Sequence, residues 1–168
     1  MSELGIPVLY LDTELTRSIQ MNRLIGLITG VETEHIETGK FSVIPEEKEA
    51  VMSCIDQLKN TLITHHNIAG QSMESILSYA RRWIVKHVGL DDNGKVKPCL
   101  LVYDYIKLMD DDGLKRNVAE TQLLGFMMTA LHNFAVKWDI PVLATAQINR
   151  DGVEKEGGEV AAGSDRIL

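Results

Sequence analysis

Aromatic side chains are scarce in this 168-residue chain, 5% of residues against an apolar fraction of 45%, so its core must be aliphatic. Only two cysteines occur, Cys54 and Cys99, both among apolar neighbours. That excludes a disulfide-stapled secreted scaffold and points to buried free thiols in a reducing compartment. No apolar run approaches the ~18 residues of a membrane span, and no signal segment is visible. The expectation is a soluble, cytoplasmic protein with no membrane partner. An excess of positive charge is also missing, the formal net charge being −7. A surface that grips nucleic acid everywhere is thereby excluded, while local basic loops are not. There is no internal repeat and no low-complexity segment. At this length one α/β domain is the default, with enough chain to bury a sizeable core.

What is present is an alternation of buried strands and amphipathic helices. The organising stretch runs from Pro98 to Met109 (PCLLVYDYIKLM). Its continuous apolar run reads as a strand covered on both faces, the habit of parallel sheets, and is expected to end at Asp104. Earlier, Ile6–Glu14 reads as a first strand and Leu15–Ile28 as a helix. Leu15, Ile19, Leu24, Ile25 and Ile28 form that helix's apolar stripe, and Thr29-Gly30 ends it. Thr33–Phe41 is polar, with turns and one short helix. Pro45 opens the next helix with acids in its first turn, sending Val51, Ile55 and Leu58 inward. Thr61–His66 is a short strand. Ser72 caps a third helix that buries Ile76, Ala80 and Ile84, and Gly89–Lys97 is a hairpin-like linker. A long helix, about Val118–Trp138, carries Leu123, Met127, Leu131, Phe134 and Trp138 on one face. Leu124, Met128 and Ala135 widen that face, so the helix is expected to be covered on two sides. Ile140–Gln147 is the fourth strand, and Asn149–Gly163 is a loop rich in glycine and charge. Strands alternating with helices imply βαβ crossovers and a parallel sheet.

Three of the four expected strands end in polar groups: Glu14 with Asp12, Asp104, and Gln147. In an open α/β sheet the carboxyl ends of the strands are where ligands bind. In nucleotide hydrolases an acid at Asp104's position orients the water shell of Mg²⁺ beside the phosphates; the plain alternative is an acid that caps the next turn. Asp12 and Glu14 point to one side, since strand side chains alternate. The pair His65-His66 suggests a metal only superficially: neighbours on a strand face opposite sides, and no matching ligand set accompanies them.

The segments PVLYLDTEL, LLVYDYIKLM and LHNFAVKWDIPVLATAQINR resemble three successive motifs of the RecA-type motor domain in replicative DNA helicases of the DnaB family. ITHHNIAGQSMESILSYARRWI, with its Ala-Arg-Arg, resembles that family's strand, loop and helix. The likeness runs from about Ile6 to Ile167 and implies a RecA-like, three-layer α/β fold (a P-loop NTPase) with a mostly parallel sheet. By this resemblance Glu14 polarises the water that attacks the γ-phosphate, and Asp104 is the Walker B aspartate holding Mg²⁺ through water. Gln147 is the γ-phosphate sensor, an amide able to donate and accept without changing charge, and Arg150 is the arginine that follows it. ATP and Mg²⁺ are the implied cofactors, single-stranded DNA and a homo-hexamer the implied partners, and a bacterium or phage the implied source. The loops Asp110–Ala119 and Asp151–Gly163 fall where the family's hexamers line a DNA channel, so Lys115, Arg116 and Lys155 are candidate phosphate contacts. Those loops carry acids too, and ordinary solvated loops are an equal reading. Lys107 departs from the family's Asp-Tyr-x-Gln, which leaves its role open.

A motor of this type needs a glycine-rich phosphate cradle with Lys and Ser/Thr between a strand and a helix. Gly89–Val96 (GLDDNGKV) nearly spells one and fails. Val96 replaces the hydroxyl, Asp91 and Asp92 repel phosphate, and the string joins a helix to a strand. The family's cradle precedes PVLYLDTEL, and its arginine finger follows the last motif. The expectation is therefore a single partial RecA-like domain over residues 1–168, truncated at both ends and weak or inactive alone. A polypeptide supplying the missing P-loop strand beside the Gln147 strand is a possible partner, and an open edge there invites self-association. Without a P-loop lysine, repulsion among Asp12, Glu14 and Asp104 is expected to raise at least one carboxyl pKa unless Mg²⁺ binds. The alternatives are another RecA-type ATPase, of recombinase or clock-protein kind, and a non-catalytic interaction module.

Overall fold

A computed structural model of the chain describes residues 4–107 and 120–147. Four strands form one sheet: β1 (Val8–Asp12), β2 (Ile63–Asn67), β3 (Leu100–Ile106) and β4 (Val142–Ala146), in the order β2-β1-β3-β4. Every pairing is parallel. The register sets Asp12 beside Asp104 and Ile106 beside Ala146, so all four carboxyl ends share one edge.

The helices start and stop where local chemistry directs. In α1 (Arg17–Thr29), the Thr16 side chain accepts from the Ile19 amide and Gly30 closes the end at φ 73°. Such a left-handed residue is cheapest as glycine. The short α2 (Thr33–Thr38) and a 3₁₀ turn (Lys40–Val43) lead to α3 (Pro45–Leu58), with Pro45 in its first turn. Ser72 caps α4 (Met73–Trp83) by accepting from the Ser75 amide. A π turn (Ile84–Val88) extends α4 and closes where Gly89 donates to the Ile84 carbonyl. The described part of the long helix is α5 (Glu120–Trp138).

Apolar burial falls into two clusters. The larger joins Leu9, Leu11, Leu101, Tyr103 and Ala144 of the sheet to Ile76, Ala80 and Trp83 of α4 and to Met127, Leu131 and Phe134 of α5. The smaller lies among the first three helices: Ile25, Val31, Ile36, Val51 and Cys54. Because strand side chains alternate, Tyr10, Asp12 and Asp104 project from the sheet face opposite Leu9, Leu11 and Tyr103.

Three expectations change. Strand β3 continues two residues past Asp104, because the chain still pairs with β4 at Ile106. Of the α1 stripe, Ile25 alone is buried, while Ile19 and Ile28 are exposed. Helix α5 is covered on one side among the described residues: Phe126 and Val136 are 62% and 67% exposed, and Met128 is also open.

Both cysteines are free and buried. Burial raises the pKa of each thiol, and the thiolate is the reactive form. A water-soluble disulfide reagent is expected to label them at least about tenfold more slowly in the folded chain than in denaturant. Equal rates would mean that the two clusters open freely.

Candidate functional site

Strand β1 ends in a turn that Asp12 builds from its own side chain. Asp12 is buried, and its Oδ1 accepts the backbone N–H groups of Glu14 at 2.8 Å and Leu15 at 2.7 Å. Its Oδ2 lies 3.2 Å from Nε2 of His65 on β2, and Asn67 Nδ2 donates to the Leu15 carbonyl at 2.8 Å. Buried Thr13 ties the turn to β3: its amide donates to the Asp104 carbonyl at 2.9 Å, and its hydroxyl accepts the Tyr105 amide at 3.3 Å. The Asp104–Tyr105 peptide is cis.

This framework holds Glu14 out at the edge, where one oxygen receives two donors. Tyr105 O–H reaches Glu14 Oε1 at 2.9 Å and Lys107 Nζ reaches the same atom at 3.0 Å. The Lys107 ammonium also lies 5.4 Å from the centroid of the Tyr105 ring. Hydrogen bonding from Lys107, then from Tyr105, lowers the Glu14 pKa below the usual glutamate range. The Tyr105 phenol is pushed up, chiefly by its bond to Glu14. For Glu14 the direction is thus opposite to that expected of crowded acids, because Lys107 supplies the offsetting charge.

Asp104, half-buried, accepts two hydroxyls. Thr145 Oγ1 donates to Oδ1 at 2.6 Å, and Tyr10 O–H donates to Oδ2. Burial first, and the bond to Asp104 second, push the Tyr10 phenol well above its ordinary value. Each carboxylate oxygen has about two acceptor positions, so one on each remains for a water. Gln147 follows β4 directly and is exposed; the pairing of Ile106 with Ala146 sets it level with Lys107. Topology thus brings Glu14, Asp104 and Gln147 to one sheet edge. Arg150, Lys115, Arg116 and Lys155 lie outside the described residues.

Among the described residues no group of three or more His, Cys, Asp or Glu is placed to hold a metal directly. A lone carboxylate with spare acceptor positions suits Mg²⁺ held through its water shell, since this ion keeps most of its waters. His65 and His66 part company: His65 stacks with Tyr10, and His66 with Tyr79 at 3.7 Å between centroids. The glycine string that nearly spelled a phosphate cradle is a hairpin. Leu90 bridges Val96, and Asp91 Oδ1 accepts the Asn93 and Lys95 amides at 2.9 and 2.8 Å. Those N–H groups are already spent on an internal acid. A cleft of about 410 Å³ between α1 and α3, lined by Gly30, His35 and Glu47, lies away from the strand ends.

Tyr10, Thr13, Tyr105 and Thr145 complete the site without being singled out by sequence alone. Tyr10 had a usable signal, standing two residues before Asp12 and so on the same face. The pairing of Lys107 with Glu14 spans 93 positions, and no local pattern announces it.

The description "DnaB-like helicase C terminal domain" matches residues 1–164. The chain belongs to this family. Two solved structures carry the same fold at TM-score 0.78. One, described as an ATPase domain, shares 23% identity and covers 98% of this chain and 54% of its own. The other, a DnaB-like replicative helicase described with its interactions with primase, shares 21% and covers 97% of this chain and 37% of its own. The chain therefore spans about half, or less, of the solved structures it matches. At these identities the likeness concerns the fold, here a RecA-like α/β core on an all-parallel sheet. No curated protein sequence matches the chain. Among the described residues, no helix is long and apolar enough to cross a membrane.

Proposed function

We propose that this DnaB-like chain is a partial domain of a replicative helicase motor, in which ATP hydrolysis drives movement along single-stranded DNA. Glu14 polarises the attacking water, Asp104 orients the Mg²⁺ water shell, Gln147 senses the γ-phosphate, and Arg150 assists it. Bound Mg²⁺ supplies charge neutralisation at the phosphate oxygens. Lys115, Arg116 and Lys155 meet the DNA backbone within a hexamer. The observation that carries this reading is the meeting of Glu14, Asp104 and Gln147 at the carboxyl edge of a parallel sheet within this family.

A second polypeptide segment completes the site. The usable phosphate cradle has no counterpart in Gly89–Val96, whose amides are occupied. Phe126 and Val136 of α5 and Leu143 of β4 leave apolar surface open, and the matched structures are about twice as long or longer. Such a segment carries a glycine-rich loop and covers this surface.

Calorimetric titration with ATP tests the reading, with and without Mg²⁺. The chain alone is expected to bind with a Kd no tighter than about 1 mM (−4.1 kcal/mol). Adding a segment bearing the cradle is expected to tighten binding at least tenfold, in a Mg²⁺-dependent way. Equal affinity with and without that segment would leave the chain a non-catalytic interaction module.

A further inference from the structure

We propose that Lys107 is the positioning residue of this site: its ammonium fixes Glu14 through Oε1, so that Oε2 is the oxygen presented to the reacting water. The assignment rests on the reading of Glu14 given above.

The proposal starts from geometry. Two donors, Lys107 Nζ at 3.0 Å and Tyr105 O–H at 2.9 Å, converge on the same carboxylate oxygen. The rigid parts lie behind them. Lys107 immediately follows β3, and Tyr105 is anchored through its amide to Thr13. Glu14 is held from the other side by the turn that Asp12 caps. Two donors arriving from one strand on one oxygen define the direction of the carboxylate, which a single flexible contact cannot do. Among the described residues no donor is placed on Oε2. That oxygen is left for a water, and a general base acts only within hydrogen-bond reach of the proton it takes.

The charge matters as well as the position. Glu14 shares the edge with the carboxylates of Asp12 and Asp104, and among the described residues Lys107 is the cation in direct contact with it. A neutral amide at position 107, as in Asp-Tyr-x-Gln, could donate a hydrogen bond but would leave those negative charges unbalanced. The groups acting on Glu14 are Lys107 and Tyr105, which favour its ionised form, and Asp12, which opposes it. The side chains of Lys107 and Glu14 are 34% and 50% exposed. A pair this open contributes little to folding, so its effect falls on Glu14 rather than on stability.

The test is a carboxyl ¹³C NMR titration of Glu14 in the full chain, compared across wild type, K107M and K107R, with E14Q to assign the resonance. Wild type is expected to titrate below the ordinary glutamate midpoint of about 4.3. K107M should move the midpoint upward toward that value, and K107R should bring it back down. Circular dichroism and melting temperature should stay at wild-type values in both variants. If K107M does not fold, K107Q keeps the polarity of the site and removes only the charge, and the same upward movement is expected. A Glu14 midpoint identical in wild type and K107M, or a K107R variant that titrates like K107M, overturns the proposal. No nucleotide enters this titration. An unmoved Glu14 therefore counts against Lys107 and leaves the motor reading standing, whereas failure of a cradle-bearing segment to tighten ATP binding would count against the motor reading alone.

Discussion

Replacing Glu14 by glutamine is expected to lower ATP hydrolysis by about 10²–10⁴-fold, the usual contribution of a positioned general base, once the chain is joined to or mixed with a cradle-bearing segment. The amide keeps the shape of the side chain and still accepts from Tyr105 O–H and Lys107 Nζ, so the turn at Asp12 and the binding of Mg²⁺–ATP should survive. The signature is a loss of kcat with little change in KM, since the interaction removed belongs to the transition state. The measurement is steady-state phosphate release beside calorimetric binding. A variant that hydrolyses within about threefold of wild type would remove Glu14 from the chemistry and leave it a surface partner of Lys107.

Trp83→Ala should have the largest effect on folding, about 3–5 kcal/mol, the range for truncating a buried aromatic. Trp83 is 3% exposed and belongs to the main cluster that α4 and α5 form against the sheet. Its indole Nε1 also donates to Thr64 Oγ1 at 2.9 Å, pinning α4 to β2. Truncation would open a cavity and strand the threonine hydroxyl together. Trp83→Phe separates the two effects, because it keeps a ring and loses the N–H. It should cost less than Trp83→Ala, with the lost bond accounting for about 1 kcal/mol. Urea denaturation of the three chains measures both differences. A cost below about 1 kcal/mol for Trp83→Ala would mean that α4 is not anchored through this residue.

The strands were legible because their aliphatic runs are short, continuous and bounded by turn residues, and the parallel sheet followed from their alternation with helices. Caps were legible for the same local reason: Gly30, Pro45 and Ser72 act within a turn of themselves, Gly30 by donating to the Gly26 carbonyl and Ser72 by accepting the Ser75 amide. What failed needed knowledge of neighbours. Apolar periodicity in α1 shows which side of the helix is greasy, but not whether anything lies against Ile19 and Ile28. The extra width of the α5 stripe has the same ambiguity, and Phe126 and Val136 turn outward. Asp104 looked like a strand end because it breaks an apolar run, yet a strand ends where its partner stops pairing, and β4 pairs beyond it. The site was half visible. Glu14, Asp104 and Gln147 stand at or near strand ends, Asp104 two residues before the end of β3, but the hydroxyls of Tyr10 and Thr145 and the ammonium of Lys107 reach their acids across strands.

The separation of the two apolar clusters gives Glu14 an unusual mechanical position. It stands where the sheet hands over to α1, the first of the three helices that enclose the smaller cluster. Glu14 is therefore tied on both sides, through the turn that Asp12 and Asn67 brace and through the two donors from β3 that converge on its Oε1.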